Sequence, residues 1–276
     1  MRHTCTLLLC SLVCVAAAAI PPATLRSWPL PGSGGSIRLR SSEQRFDRSR
    51  EVTGDSVWAG TMCLLQWLSE PKNRGLFEGK SVLELGSGTG IIGLSLAQMG
   101  ARRVVLTDLE QQLPLLRSNI AFNEDDHAGC LVSAAALPWG ERPTGALARE
   151  RFDLILGCEV TYIDALLEPL ACTTAALLLD PPDASPSPPP VALFAAARHR
   201  AFASVPDHAH TFVHDLLEAR HGLHSRLVGS VERPAEVVGA DFFAGAQEAE
   251  RDMPVSFFRV SSQRDEVYAG FGGGAV

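Results

Sequence analysis

Three short segments hold residues whose types and spacing could do chemistry. The first is Val82-Leu83-Glu84-Leu85-Gly86-Ser87-Gly88-Thr89-Gly90, an apolar run ending in alternating glycines. Glycine has no Cβ, so a ligand can approach the backbone where another side chain would clash. Gly88-Thr89-Gly90-Ile91-Ile92-Gly93 also satisfies GxGxxG spacing. The second is Asp108, 20 residues beyond Gly88, at the end of the next apolar run. A carboxylate at that spacing accepts hydrogen bonds from ribose hydroxyls. The third is Gly157-Cys158-Glu159-Val160-Thr161-Tyr162, where an acid and a tyrosine follow another apolar run. The first two describe a site for an adenosine-containing cofactor, either a nicotinamide dinucleotide or S-adenosylmethionine.

Residue scarcity separates these two. A Tyr-x-x-x-Lys pair is excluded, since Leu166 stands four residues after Tyr162 and Gly272 four after Tyr268. Those are the chain's only tyrosines, and Lys72 and Lys80 its only lysines. A pyrophosphate prefers neutral backbone N–H groups at a helix start, whereas Glu84 sits just before the loop. An acid there suits a cation, and S-adenosylmethionine carries a sulfonium and an amino group. Alternatively, Glu84 serves only hydrogen bonds of the loop, since a buried acid needs partners of some kind.

The elements that must position these residues alternate between strand and helix. Residues 37–40 alternate as a half-buried strand, and 54–70 carry a helical pattern stopped by Pro71. Short strands are predicted at 81–85, 103–108, 130–136, 152–157 and 191–196, with helices at 91–99, 111–123, 163–179 and 211–221 between them. Two late strands follow at 223–228 and 255–260. Such alternation makes an α/β fold: a parallel sheet with helices on both faces and a ligand at its carboxyl edge. Residues 180–190, Pro-rich, read as a surface spacer.

In order along the chain stand Val57-Trp58, the loop from Glu84 to Gly90, Thr107-Asp108, Trp139-Gly140, and Gly157 to Tyr162. This pattern resembles methyltransferase family 16, the methyltransferase-like group of protein lysine methyltransferases, from about Ile37 to about Val260. The resemblance implies a Rossmann-like seven-stranded class I methyltransferase sheet, mostly parallel with a late antiparallel strand. It implies S-adenosyl-L-methionine as cofactor, held by Trp58, Glu84, Gly86, Ser87, Gly88, Asp108, Trp139 and Cys158. It implies methyl transfer to a protein lysine, with Glu159 and Tyr162 at the amine; the family has Asp where Glu159 stands. The alternatives are a methyltransferase of the same fold acting on a small molecule or other nucleophile, and a non-catalytic cofactor-binding relative.

Composition bounds the rest. The chain has 276 residues, 46% hydrophobic and 20% charged, which excludes a largely disordered protein. Its formal charge is −7, the wrong sign for gripping nucleic acid through a broad basic face. Residues 1–42 hold four arginines and no acid, so the remainder, with the other 20 basic groups and all 31 acids, carries −11. An acidic body favours a basic protein substrate. Residues 1–20 read as a signal-like leader, whose apolar run is too short to span a bilayer as a helix. Residues 21–35 read as a Pro/Gly/Ser-rich linker or transit-like segment, 36–268 as the methyltransferase domain, and 269–276 as a Gly-rich tail. The leader points to an organelle reached by a plastid-type route or to secretory entry, the alternative being a cytoplasmic protein. No CxxC pair and no HExxH occurs, so no metal site is read from spacing, although His210 and His214 share one helix face.

Overall fold

The computed structural model describes residues 24–32, 34–41, 54–127, 129–181, 188–197, 207–231 and 254–263. The leader, the Gly-rich tail and most of the Pro-rich spacer lie outside the described residues. Strands β1 (Thr24–Pro29) and β2 (Ser36–Ser41) form an antiparallel hairpin. β1 falls within the stretch expected to be linker; its pairing runs from Thr24 opposite Ser41 to Pro29 opposite Ser36. Ordered structure therefore starts ahead of Ser36. Ile37 and Leu39 are buried on one face of β2, as the alternation predicts.

Seven further strands make the main sheet: β3 (Ser81–Leu85), β4 (Arg103–Asp108), β5 (Leu131–Ala136), β6 (Leu154–Cys158), β7 (Val191–Ala197), β8 (His224–Val231) and β9 (Val255–Ser261). Their order is β5-β4-β3-β6-β7-β9-β8. β3 to β7 are parallel, while β9 runs antiparallel to both β7 and β8. This is the expected seven-stranded, mostly parallel sheet with a late antiparallel strand.

The helices are α1 (Ala59–Ser69), α2 (Ile91–Gln98), α3 (Leu113–Phe122) and α4 (Asp164–Leu179). The predicted helix over 211–221 is a π-helix, Thr211–Arg220, entered through one turn at His208–His210. Strand residues alternate between two cores. Val82, Val104, Leu106, Leu154 and Leu156 pack with α1, α2 and α3. Leu83, Leu85, Val105 and Ile155 pack with α4 and the π-helix. No described helix is long and apolar enough to cross a membrane.

Helix α1 starts at Ala59, later than the predicted Gly54. Trp58 is extended (φ −93°, ψ 155°), and the carbonyl of Gly54 accepts a hydrogen bond from Gln112 Nε2 at 2.8 Å. Tertiary bonding has drawn this segment out of the helix and over the glycine loop.

One edge of β2 is bonded by side chains in place of a strand. Arg38 N–H donates to Asn123 Oδ1 (2.9 Å), and Asn123 Nδ2 returns a bond to the Arg38 carbonyl (2.8 Å). Asn119 does the same for Arg40 at 2.8 and 3.2 Å, and also donates to the Thr89 carbonyl at 2.9 Å. Both amides are fully buried, four residues apart on α3. Asn119→Ala is expected to cost about 2–3 kcal/mol, because it orphans buried backbone groups of both β2 and the glycine loop. Urea denaturation of the variant measures this directly.

Candidate functional site

β3 pairs with β4 on one side and β6 on the other, so the strand order reverses at β3/β6. The loops leaving these strands open a crevice at the carboxyl edge, where α/β sheets bind ligands. Register fixes what meets there. Leu85 lies opposite both Thr107 and Gly157, and Asp108 opposite Ala136. The glycine loop, Asp108, the strap after β5 that carries Trp139, and Cys158-Glu159 therefore leave the sheet side by side.

The loop is built from backbone that only glycine adopts readily. Gly86, Gly88 and Gly90 have φ of 62°, 54° and 80°. A Cβ on Gly86 would lie 2.9 Å from both Trp139 Cζ2 and Val160 Cγ1, so the Trp139 indole rests on this loop. A Cβ on Gly88 would lie 2.8 Å from the Gly54 carbonyl oxygen. Asp108 Oδ2 accepts from Gly88 N–H and Oδ1 from Leu109 N–H, each at 2.8 Å. Each carboxylate oxygen keeps a second lone pair for a ligand hydroxyl. Burial raises the Asp108 pKa, against the lowering effect of these two bonds.

Two of the expected cofactor contacts are turned inward. Ser87 donates its N–H to the Thr107 carbonyl (2.9 Å) and its hydroxyl to the Glu84 carbonyl (3.2 Å). Glu84 is buried beneath the loop, and its Oε2 accepts from Gly93 N–H at 2.9 Å. Burial pushes the Glu84 carboxyl up to about 8; the Gly93 bond works against this, and the Asp108 charge adds to it. The folded chain thus holds the Glu84 proton up to about pH 8, while the ordinary value is 4.5. Folding takes up a proton between those values, so this group's contribution to stability falls as pH rises through that window. Glu84→Gln keeps an acceptor for Gly93 without the charge. Its stability advantage over wild type is expected to grow by a few kcal/mol from about pH 5 to about pH 9, measured by urea unfolding at each pH.

Glu159 follows β6 with φ 55°, the one non-glycine residue at positive φ among the described residues. Its N–H donates to the Ala195 carbonyl at 2.9 Å, which extends the pairing to β7. Its side chain crosses to the first turn of α1, where a Cβ on Gly60 would lie 1.7 Å from Oε1. The positive end of the α1 dipole favours a carboxylate there. The half-buried Cys158 has its Sγ 3.9 Å from Thr61 Oγ1. Burial first, then the Glu159 charge, pushes the Cys63 thiol up to about 12 and raises Cys158 well above the ordinary range. Neither thiol is a nucleophile near neutral pH. Half-buried Trp58 caps α1 two residues before Gly60, and Tyr162 stands at the rim, 46% exposed.

The structure thus brings Trp58, Glu84, Gly86, Ser87, Gly88, Asp108, Trp139, Cys158 and Glu159 to one sheet edge, with Tyr162 beside them. Sequence reasoning missed Gly54, Gly60 and Gln112. Gln112 holds Gly54 at 2.8 Å and the Gly88 carbonyl at 3.2 Å, which clamps the segment before α1 onto the glycine loop. Gly60 did leave a faint signal, since a glycine inside a helical pattern costs about 1 kcal/mol relative to alanine and so asks for a packing reason.

Residues 41–186 match the family model described as lysine methyltransferase. Protein N-lysine methyltransferase METTL21A of Danio rerio is 35% identical over 141 residues, covering 48% of this chain and 60% of its own. Protein-lysine N-methyltransferase EEF2KMT of Homo sapiens is 33% identical over 147 residues, 50% of this chain and 43% of its own. EEF1A lysine methyltransferase 3 of Xenopus tropicalis is 34% identical over 111 residues, 39% of this chain and 45% of its own. The chain thus spans about half the length of the curated relatives it matches.

Proposed function

The chain belongs to the lysine methyltransferase family, and we propose from that premise that it methylates the lysine side chain of a protein, using S-adenosyl-L-methionine. The observation that carries this reading is that the family match covers the very segment, 41–186, in which the glycine loop, Asp108, Trp139 and Glu159 converge. The donor set fits that cofactor: a glycine loop held at positive φ at the sheet edge, a pinned carboxylate at the β4 tip, and a flat indole on the loop. Asp108 would hold the ribose hydroxyls, and Trp139 would face the adenine. When bound, the cofactor supplies a methyl group already activated on a sulfonium.

The remaining work is positional. A free lysine amine has a pKa near about 10.4 and attacks only when neutral. A dry crevice lowers that value, and holding the amine in line supplies much of the rate. In this reading Glu159 and Tyr162 hold the amine, and the acidic body attracts a basic segment around the target lysine. The test incubates the full chain with methyl-tritiated S-adenosylmethionine and a whole-cell protein extract, then separates methylated amino acids after hydrolysis. Label in methyl-lysine is the expected result. Label confined to small molecules, or cofactor binding without transfer, would overturn it.

A further inference from the structure

The second candidate chemistry lies away from the sheet edge, on the face that α4 presents to the π-helix. Glu168 and Cys172 are four residues apart on α4, and His221 closes the π-helix. Cys172 Sγ is 3.8 Å from Glu168 Oε1 and 4.0 Å from His221 Nε2, and one ligand atom from each residue lies within 4.8 Å of the others. A tetrahedral zinc ion with Zn–S of about 2.3 Å and Zn–N or Zn–O of about 2.1 Å sets its donors roughly 3.6 Å apart. Cys172 Sγ already stands within a few tenths of an ångström of that spacing from both partners, and the Glu168 and His221 donors, within 4.8 Å of each other, need only a small side-chain adjustment to close on an ion. All three side chains are half-buried. The other Glu168 oxygen, Oε2, accepts from Arg220 Nη1 at 2.6 Å, which fixes the orientation of the carboxylate. Cys172 and His221 line a groove of about 290 Å³ together with Gly140, Glu141, Arg142 and Asp180.

We propose that Glu168, Cys172 and His221 form a binding site for a borderline-soft divalent cation of the zinc class, with a fourth coordination position open to this groove. The donor set selects the ion: thiolate with imidazole favours Zn²⁺ over the oxygen-seeking Mg²⁺ and Ca²⁺. The His210–His214 pair singled out from spacing is a poorer candidate, because no third ligand joins it among the described residues. The site ties α4 to the end of the π-helix. It also adjoins the Trp139 strap, since Gly140 N–H donates at 2.9 Å to Thr173 Oγ1, one residue after Cys172. A bound ion therefore stiffens the support of the strap without touching the sheet edge.

The test titrates the full chain with Co²⁺, a spectroscopic stand-in for Zn²⁺, and follows the thiolate-to-cobalt charge-transfer band. The expected result is saturation at one ion per chain, displacement by Zn²⁺ and no displacement by Mg²⁺. Cys172→Ser abolishes the band. His221→Ala keeps the thiolate but weakens binding by more than the roughly 10–100-fold lost when a group that only orients a ligand is removed. Zn²⁺ raises the thermal midpoint of wild type and of neither variant. No charge-transfer band in wild type, or an undiminished band in Cys172→Ser, would overturn the proposal. So would an unchanged affinity in His221→Ala. Thermal unfolding of the metal-free proteins shows that each variant is folded when it is titrated.

Discussion

Glu159→Ala is expected to reduce label transfer to protein by roughly 100-fold or more, the scale lost when a positioned group at a reacting centre is removed. Affinity for S-adenosylmethionine should stay within a few-fold of wild type, because Glu159 is assigned to the amine and is not among the residues assigned to the cofactor. The structure explains why the carboxylate deserves this weight. Glu159 stands at φ 55°, a conformation that costs a non-glycine residue of order 1–2 kcal/mol. The Ala195 bond holds its backbone in place, and the strained turn throws the side chain across to α1. Glu159→Gly separates strain from chemistry. It removes the carboxylate and relaxes the backbone, so stability should rise by about 1 kcal/mol while transfer is lost as in the alanine variant. Filter-bound radioactivity, equilibrium cofactor binding and urea denaturation measure the three quantities. Unchanged turnover in Glu159→Ala would falsify the assignment of the acid.

Most of the sheet was legible because its strands are short apolar runs that end at turn residues. Ser81–Leu85 is buried at every position, and the glycines after it mark both a turn and a close approach. Asp108 was found by its spacing from Gly88, which reflects the length of one helix between two paired strands. What stayed hidden depends on contacts between distant segments. Nothing local says that Gly54 and Trp58 leave a helical pattern, because the bond that draws them out comes from Gln112, 58 residues away. The Asn119 and Asn123 amides look like ordinary polar residues until β2 lies against them. β1 has an exposed, mixed pattern and becomes a strand by pairing with β2. The Glu168–Cys172–His221 cluster joins two elements separated by β7, so no ligand spacing in the sequence could announce it.

Gly60→Ala carries the second large effect and tests the geometry by which Glu159 is held. In the first turn of a helix this substitution ordinarily stabilises by about 0.5–1 kcal/mol. Gly60 is not among the residues at positive φ, so its backbone accepts alanine. The obstacle is Glu159, whose Oε1, Cδ and Cγ would lie 1.7, 2.7 and 3.0 Å from the new Cβ. These atoms are the far end of a flexible side chain, so the carboxylate swings aside and the fold survives. The expected result is a thermal midpoint close to wild type with transfer reduced about as far as in Glu159→Ala, roughly 100-fold. The double variant Gly60→Ala/Glu159→Ala has no collision left. It should transfer no less than either single variant and be more stable than Glu159→Ala by about 0.5–1 kcal/mol, the helix gain restored. That non-additivity distinguishes a lost position from a damaged helix, since damage to α1 would carry through to the double variant. If Gly60→Ala turned over like wild type, the carboxylate would be working from a place other than the first turn of α1.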